Sequence, residues 1–456
     1  MAGIFRSKNT KAKRFSWRFL AAAYFLLLIF SGVYRLSQPE TEIMPDRKTV
    51  FLPTIDGNNV KADKIRFAYK EFLPTENTDA FPVILIHGSP GDGEVFNGLA
   101  PLLKKHRIIA VDLPGFGDSE KNIPDYSFRA HARYIVKFLD QLTIKKAHIV
   151  GFSMGGGVAL DLANIAPNRI ASISMVSAIG VQEYELLGNY EINHAIHGFQ
   201  LVALLGLQEL TPHFGLFDGT IPYARNFYDS DQRPLRPILQ EVNTPFLIVH
   251  GSDDPLVPVE AARENFRLVP NSEYVEIDDN HFFIFMRPEK LANPLQNFWA
   301  TVENGTAQTR ETANADRIEK SKQPFVPQVS PAKGVTSFIF FILIALATLI
   351  SEDFACLTAG ALAANGRFSF LFAVAASVFG IYLGDILLFL AEGQGTQKGT
   401  GIEIPNLPHR ELSSLSGMAR ETVTRTLGKL ERKGLILRTS ESFQIIKIDA
   451  LEDLLV

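Results

Sequence analysis

A single cysteine in 456 residues, Cys356, leaves no material for an intramolecular disulfide framework or for a zinc site built on thiolates, and its plain reading is a small buried apolar residue. Tryptophan is almost as scarce, with two. Neither sign of charge is in excess: 45 Lys and Arg stand against 49 Asp and Glu, so the chain-wide balance of -4 says nothing about partners. Long apolar runs are missing from the middle of the chain and occur only towards its ends. The length is more than one domain needs and suggests two to four.

What is present centres on His148-Ile149-Val150-Gly151-Phe152-Ser153-Met154-Gly155-Gly156-Gly157, an apolar strand pattern that runs into a glycine-framed serine and then into helical Val158 to Ala163. In G-x-S-x-G the serine sits on a turn so tight that only glycine fits beside it, which pushes the hydroxyl out above the sheet edge. The helix that follows aims free N–H groups and its positive end at negative charge developing there. A serine hydroxyl also needs a base to remove its proton, and the base needs an orienting acid. In the chain order serine, acid, histidine, Val249 to Pro258 offers the adjacent pair Asp253 and Asp254, and Asp278 to Phe283 offers His281. We assign His281 as general base and then general acid, and Asp254 as its orienter, with Asp253 the alternative. The oxyanion takes the backbone N–H of Met154 and a second donor from the loop His87 to Gly93, assigned to Ser89. His87 is read as a structural loop residue. No metal is called for: His194, His197 and His213 are scattered and read as packing or surface residues.

Around these residues, 49–302 alternates short Val- and Ile-rich runs with helical stretches. The runs Pro82 to Ile86, Ile108 to Val111, Ala147 to Val150, Ile170 to Val176 and Phe246 to Val249 predict a mostly parallel α/β sheet buried on both faces. The first three each feed a glycine-rich loop at the C-terminal edge, where such sheets keep their ligand sites. From about 180 to 241 the strand rhythm stops, and an apolar, aromatic helical cap over the site is expected. Ahead of the domain, a basic leader (1–18: Arg6, Lys8, Lys11, Lys13, Arg14, Arg18) precedes the uncharged run Phe19 to Tyr34. That run has no small-x-small cleavage pattern, so an uncleaved transmembrane anchor over 19–34 is expected, with the leader cytoplasmic and the rest exported.

Behind the domain, 304–323 is polar and aperiodic, hence a linker. The apolar blocks 335–350 and 368–391, with half-apolar 351–367 between them, predict C-terminal membrane helices, two soluble core helices being the alternative. Gly393 to Gly401 reads as a flexible joint. Pro408 to Val456 then reads as helix, turn, helix and a short β pair, with a basic helix from Arg420 to Lys433. This is the layout of a winged helix-turn-helix, a small helical tail being the alternative.

With HGSPG at 87–91, DLPGFGDS at 112–119, GFSMGG at 151–156, GSDDPLVP at 251–258 and Asn280-His281, residues 49–302 resemble the α/β-hydrolase fold superfamily. The resemblance implies an eight-stranded sheet, a Ser-Asp-His triad without cofactor, and Asp254 as the acid. Asn280 stands where many relatives have glycine, and the serine nucleophile argues against haloalkane dehalogenases and epoxide hydrolases. Residues 325–391 resemble the N-terminal half of a DedA-type (SNARE-associated) membrane protein, through Glu352, Asp353, the run 358–364, Gly366-Arg367 and Gly380 to Asp385. That family is associated with lipid scrambling or transport, and the match stops at Glu392. Residues 405–456 resemble the DNA-binding domain of Crp/Fnr-type regulators, with His409 to Ser413 opening the first helix and Met418 to Arg425 the recognition helix. This implies contacts to base edges or phosphates from Arg420, Glu421 and Arg425.

Two functions from different classes follow. The first is a serine hydrolase anchored in the bacterial inner membrane, its catalytic domain on the outer face, acting on a small apolar ester or amide. The second is a membrane-tethered DNA-binding regulator whose hydrolase domain senses a ligand.

Overall fold

The computed structural model describes residues 17–37, 43–75, 79–326, 334–349, 351–364, 366, 369–392, 397–398, 401–405, 420–438 and 442–445. The chain divides into two units, 1–330 and 331–456. In the first, α1 (Trp17–Ser37) precedes β1 (Lys48–Asp56), β2 (Asn59–Phe72), β3 (Val83–Ile86), β4 (Ile108–Asp112), α2 (Phe128–Gln141), β5 (Ala147–Phe152), α3 (Gly155–Ile165) and β6 (Ile170–Val176). The helices α4 (Tyr190–Leu210), α5 (Thr220–Asp229) and α6 (Leu235–Glu241) follow. Then come β7 (Phe246–Gly251), α7 (Val259–Leu268), β8 (Ser272–Ile277), α8 (Phe283–Met286), α9 (Glu289–Glu303) and α10 (Ala315–Lys322).

The eight strands form one sheet in the order β1-β2-β4-β3-β5-β6-β7-β8, antiparallel as far as β4 and parallel from there on. Alternate residues of each strand feed two cores. Ile84 and Ile86 pack on one face with Tyr134 and Phe138 of α2, while Val83 and Leu85 pack on the other with Phe298 and Trp299 of α9. Cover on both faces is why these strands read as unbroken apolar runs instead of alternating ones. Because β3 pairs with both β4 and β5, the chain reverses direction across the sheet there. The crevice at such a reversal brings the loops after β3 and β5 together at the carboxyl edge. The helices α4 and α5 follow β6 at that same edge as the cap, whereas α6, expected to belong to the cap, buries Leu235 and Leu239 in the core beside α3 and leads into β7.

The helix α3 is buried from Gly155 to Ala163, Asp161 included, and burial pushes the Asp161 carboxyl up to about 6 against the partial counter-effect of Arg129. A folded value above the unfolded one means that the native state holds the proton more tightly. The carboxylate therefore costs nothing below about pH 4, and its full penalty is present above about pH 6, at most about 3 kcal/mol. Asp161→Asn is expected to raise Tm at pH 8 and leave it unchanged at pH 4. A Tm change of equal size at both pH values would mean that the buried charge is not its cause.

Segment 304–323, expected as a structureless linker, instead carries α10 docked on the domain. Arg317 donates to the carbonyls of Ser272, Phe266 and Val269 at 2.8, 2.7 and 3.0 Å, and Ser321 is buried. One guanidinium fork serving three carbonyls holds a helix too polar to announce itself by periodicity.

In the second unit, α11 (Gly334–Thr348), α12 (Glu352–Ala364) and α13 (Phe370–Glu392) pack together, Phe341 of α11 meeting Phe372 and Phe379 of α13 at ring distances of 5.5 and 5.6 Å. Among the described residues only α13 is long and apolar enough to cross a membrane, over Phe370–Leu387, and Ala21–Ser37 is a shorter apolar run. The expectation of several membrane helices therefore lacks support from length. The 15 residues of α11 reach about 22 Å against a hydrocarbon core of about 30 Å. Beyond α13 come β9 (Gln397–Lys398), β10 (Gly401–Pro405), α14 (Arg420–Arg432), β11 (Ile436–Arg438) and β12 (Ser442–Ile445). The expected β pair is part of a four-stranded antiparallel sheet, β11-β12-β10-β9. The stretch 393–401, expected as a flexible joint, contributes β9 and the first residue of β10, because Ile402 finds Ile445 directly across the ladder. Residues 1–16 of the leader and the first helix of the expected helix-turn-helix, opening at His409, lie outside the described residues, as do Met418 and Ala419.

Candidate active site

Ser153 follows β5 directly and has φ +53°, the left-handed region that a residue with a Cβ rarely enters. Hydrogen bonds hold it there: its N–H donates to Val176 O at 3.0 Å, and its carbonyl accepts from Gly156 and Ile179 at 3.1 and 3.2 Å. The flanking glycines are required by space. A Cβ on Gly151 would lie 2.4 Å from Gly155 O, and one on Gly155 would lie 2.4 Å from Ile86 O. The elbow is thus closed by backbone on both sides, with Met154 buried at the head of α3.

The loop after β3 runs beside it, since a Cβ on Gly88 would come within 2.8 Å of Ser153 Cβ. His87 braces that loop. Its Nδ1–H donates to Gly88 O at 2.6 Å and its Nε2 accepts from Leu113 N–H at 3.0 Å, while full burial holds its pKa down. Both nitrogens are occupied, so His87 has none to offer Ser153. Ser89 follows Gly88, and its buried Oγ has no hydrogen-bond partner among the described residues.

The acid and base come from the ends of β7 and β8. Asp254 Oδ1 accepts from the N–H groups of Leu256 and Val257 at 2.9 and 2.8 Å, and Oδ2 accepts from His281 Nδ1–H at 2.7 Å, with the carboxylate wholly buried. With Nδ1–H committed to Asp254, the imidazole lone pair sits on Nε2. The His281 ring, itself buried, packs against Phe152, the residue before Ser153, at 5.0 Å. Asp253, the alternative acid, is exposed, with its N–H donating to Asp279 O. It belongs to a polar surface that also holds Asp279, where Arg287 and Lys290 keep the Asp279 carboxyl well below the usual carboxylate range.

One member of the cluster had no assigned part in the sequence. His250 Nε2 donates to Val257 O at 2.9 Å and lies 3.4 Å from Asp254 Oδ2, and burial lowers its pKa. Its signal is the position four residues before Asp254, on the strand that carries the acid. Of the cap histidines, His194 is stacked between Tyr190 and Tyr228 and His197 pairs with Glu185 at 3.1 Å. His213 gives its backbone N–H to Ser31 Oγ.

Among the described residues, one group could hold a metal ion: His106, His148 and Glu303, with ligand atoms within 4.8 Å of one another. Both imidazole Nε2 atoms already share Glu303 Oε1, at 3.1 and 3.4 Å, and His148 Nδ1 meets Ser172 Oγ at 2.7 Å. The group sits near the start of β5, the edge opposite Ser153, and reads as a brace between α9 and the sheet. In the second unit, Arg420, Glu421 and Arg425 all lie on α14, with Arg425 exposed.

Residues 82–202 match the family model described as alpha/beta hydrolase fold, and residues 383–454 match that of the Crp-like helix-turn-helix domain. The second match begins inside α13, ahead of the expected boundary at 405 and within the last residues of the stretch 325–391 that resembles a DedA-type protein, for which neither match gives support. The chain is 29% identical over 239 residues to a dihydrolipoyllysine-residue acetyltransferase component of the acetoin cleaving system from Pseudomonas putida, covering 46% of this chain and 61% of that one. It is 38% identical over 124 residues to the component of the same name from Cupriavidus necator, covering 27% and 31%. It is 27% identical over 244 residues to the 2-hydroxy-6-oxo-6-(2'-aminophenyl)hexa-2,4-dienoic acid hydrolase of Metapseudomonas resinovorans, covering 48% and 83%. The chain thus spans less than two thirds of the first two relatives. The eight-stranded sheet has the α/β-hydrolase fold, and residues 383–454 match the Crp-like helix-turn-helix family.

Proposed function

We propose that residues 49–302 are a serine hydrolase that cleaves an ester or amide of a small apolar acyl compound through an acyl-enzyme. The observation that carries this reading is the buried 2.7 Å bond from His281 Nδ1–H to Asp254, with His281 packed on the residue that precedes an elbow serine. His281 Nε2 takes the Ser153 proton as Oγ bonds to the substrate carbonyl carbon. The N–H groups of Met154 and Ser89 receive the oxyanion, each contributing about 3 kcal/mol to the transition state. His281 then protonates the leaving oxygen or nitrogen as its bond to carbon breaks. Water attacks the acyl group with the same base, releases the acid and restores Ser153. A fluorophosphonate probe is expected to label the full-length protein at Ser153, and short p-nitrophenyl esters to be turned over. Folded protein that neither reacts nor turns over would end this reading.

The apolar α1 behind a basic leader supports a home at the bacterial inner membrane. An outer-face domain would require α1 to cross, and the contacts of α1 with the cap, taken up below, count against that.

The Crp-like match favours a second activity, DNA binding by the C-terminal domain through Arg420, Glu421 and Arg425 on α14, tethered to the membrane by α13. The full chain is then expected to bind duplex DNA with an affinity that falls linearly in log salt. Absence of salt-dependent binding would remove this reading and leave the first intact.

A further inference from the structure

The hydrolase reading leaves unused an apolar surface shared by the cap and α1. On α4, Ile192, Ala195, Phe199, Val202, Gly206 and Leu210 recur at the three-to-four spacing of one helix face, and all are exposed, Phe199 and Val202 by 69% and 70%. The opposite side of α4 turns Asn193, His197 and Leu201 into the domain. The neighbouring α1 is two-sided in the same way. Tyr24, Ser31 and Arg35 share the face that meets the cap, whereas Leu26, Phe30 and Val33 lie exposed on the other.

Two features suit this surface to lipid rather than water. The polar backbone at the end of α4 is closed by side chains of α1: Tyr24 OH donates to Leu210 O, and His213 N–H donates to the buried Ser31 Oγ at 2.9 Å. Water would serve such groups equally well, but hydrocarbon offers no partner, so there they must be paired within the protein. Charge is also confined to the edges. No charged residue falls between Tyr24 and Tyr34, and Arg35 pairs with Asp218 at 3.0 Å in the last turn of α1. Five of the six leader cations precede α1, with Arg18 in its first turn, and the charges of α4, Glu191 and Glu209, stand at its two ends. Contact with the cap from Tyr24 to Arg35 occupies about 16 Å of α1, half of what a crossing needs, so α1 cannot both cross a bilayer and keep these partners in water. A helix with a cationic approach and one lipid-seeking face lies in the plane of an anionic interface.

We propose that α1 and the outer face of α4 dock flat on an anionic lipid leaflet, and that the hydrolase draws its acyl substrate from that leaflet. The second half rests on the serine hydrolase reading; the first does not. The cap follows β6 at the carboxyl edge of the sheet, and Leu256 and Phe282, exposed neighbours of Asp254 and His281, make the surface beside the site apolar. The substrate class is therefore an ester or amide whose acyl chain resides in the membrane.

The test uses the full chain carrying Ser153→Ala and Cys356→Ser, with an environment-sensitive fluorophore on Val202→Cys or, on the far strand β2, Lys64→Cys. Vesicles of phosphatidylcholine and phosphatidylglycerol are expected to blue-shift the label at 202 and expose it to quenching by brominated lipid, with no change at 64. No shift at 202, or equal shifts at both positions, would overturn the docking. So would a shift at 202 that grows with protein concentration in the absence of vesicles, which would mean that a second copy covers the face. With Ser153 restored, Phe199→Glu with Val202→Glu is expected to lower turnover of vesicle-borne monooleoylglycerol by at least about tenfold while p-nitrophenyl acetate turnover stays within about twofold. Equal loss on both esters would overturn the leaflet substrate. If the unsubstituted protein cleaves neither ester, the hydrolase reading and the leaflet substrate both fail, and the fluorescence still decides the docking.

Discussion

Ser153→Ala is expected to lower kcat on a p-nitrophenyl ester by about 10⁵- to 10⁶-fold while leaving KM within a few-fold and Tm nearly unchanged. The oxygen lost is the only atom that can form the acyl-enzyme, so both half-reactions go with it. The residue left behind keeps the Cβ, the φ of +53° and the backbone bonds to Val176, Gly156 and Ile179, so the elbow has no new reason to move. Loss of the fluorophosphonate adduct in the same variant ties the rate to this serine. Residual activity above about a hundredth of the original would show that substrate is being cleaved by another group. Gly155→Ala makes a useful contrast. Its Cβ would sit 2.4 Å from Ile86 O, so activity there should be lost through the fold, with a drop in Tm that Ser153→Ala lacks.

What made the elbow legible before any coordinates was that its requirements are local. Two glycines without room for a Cβ, an apolar strand before and a helix after are all written within a dozen residues. The acid and the base are farther apart in the chain, but a fixed sheet order puts the ends of β7 and β8 side by side, so chain order alone narrowed them to His281 and one of two aspartates. The resemblance already favoured Asp254 over Asp253, and the geometry adds the physical difference between them: Asp254 turns inward to meet the N–H groups of Leu256 and Val257. His250 stayed without a role because a buried histidine on a strand has no periodic signature. Helix α10 was missed because a guanidinium on three carbonyls attaches it in place of an apolar stripe. The two faces of α1 were hidden for a related reason. Its sequence is apolar almost all round, and only the positions of Tyr24, Ser31 and Arg35 against the cap separate an inner side from an outer one.

Asp254→Asn should cost about 10⁴ in kcat, whereas Asp253→Asn should leave it within about twofold. The size follows from which way the new amide must point. Two backbone N–H groups occupy the Oδ1 position of Asp254, and only an acceptor satisfies them, so the asparagine oxygen is held there. The NH₂ group is then forced to the Oδ2 position, opposite His281 Nδ1. A donor cannot face a donor. His281 must move its proton to Nε2, and in that tautomer the nitrogen aimed at Ser153 has no lone pair with which to take the serine proton. His250 cannot relieve this, because its Nε2–H is committed to Val257 O. Stopped-flow acylation by a p-nitrophenyl ester reads the effect directly: the burst rate should collapse in Asp254→Asn with the fold intact by Tm. The reverse result, a normal burst in Asp254→Asn and a lost one in Asp253→Asn, would transfer the acid's role to the exposed neighbour.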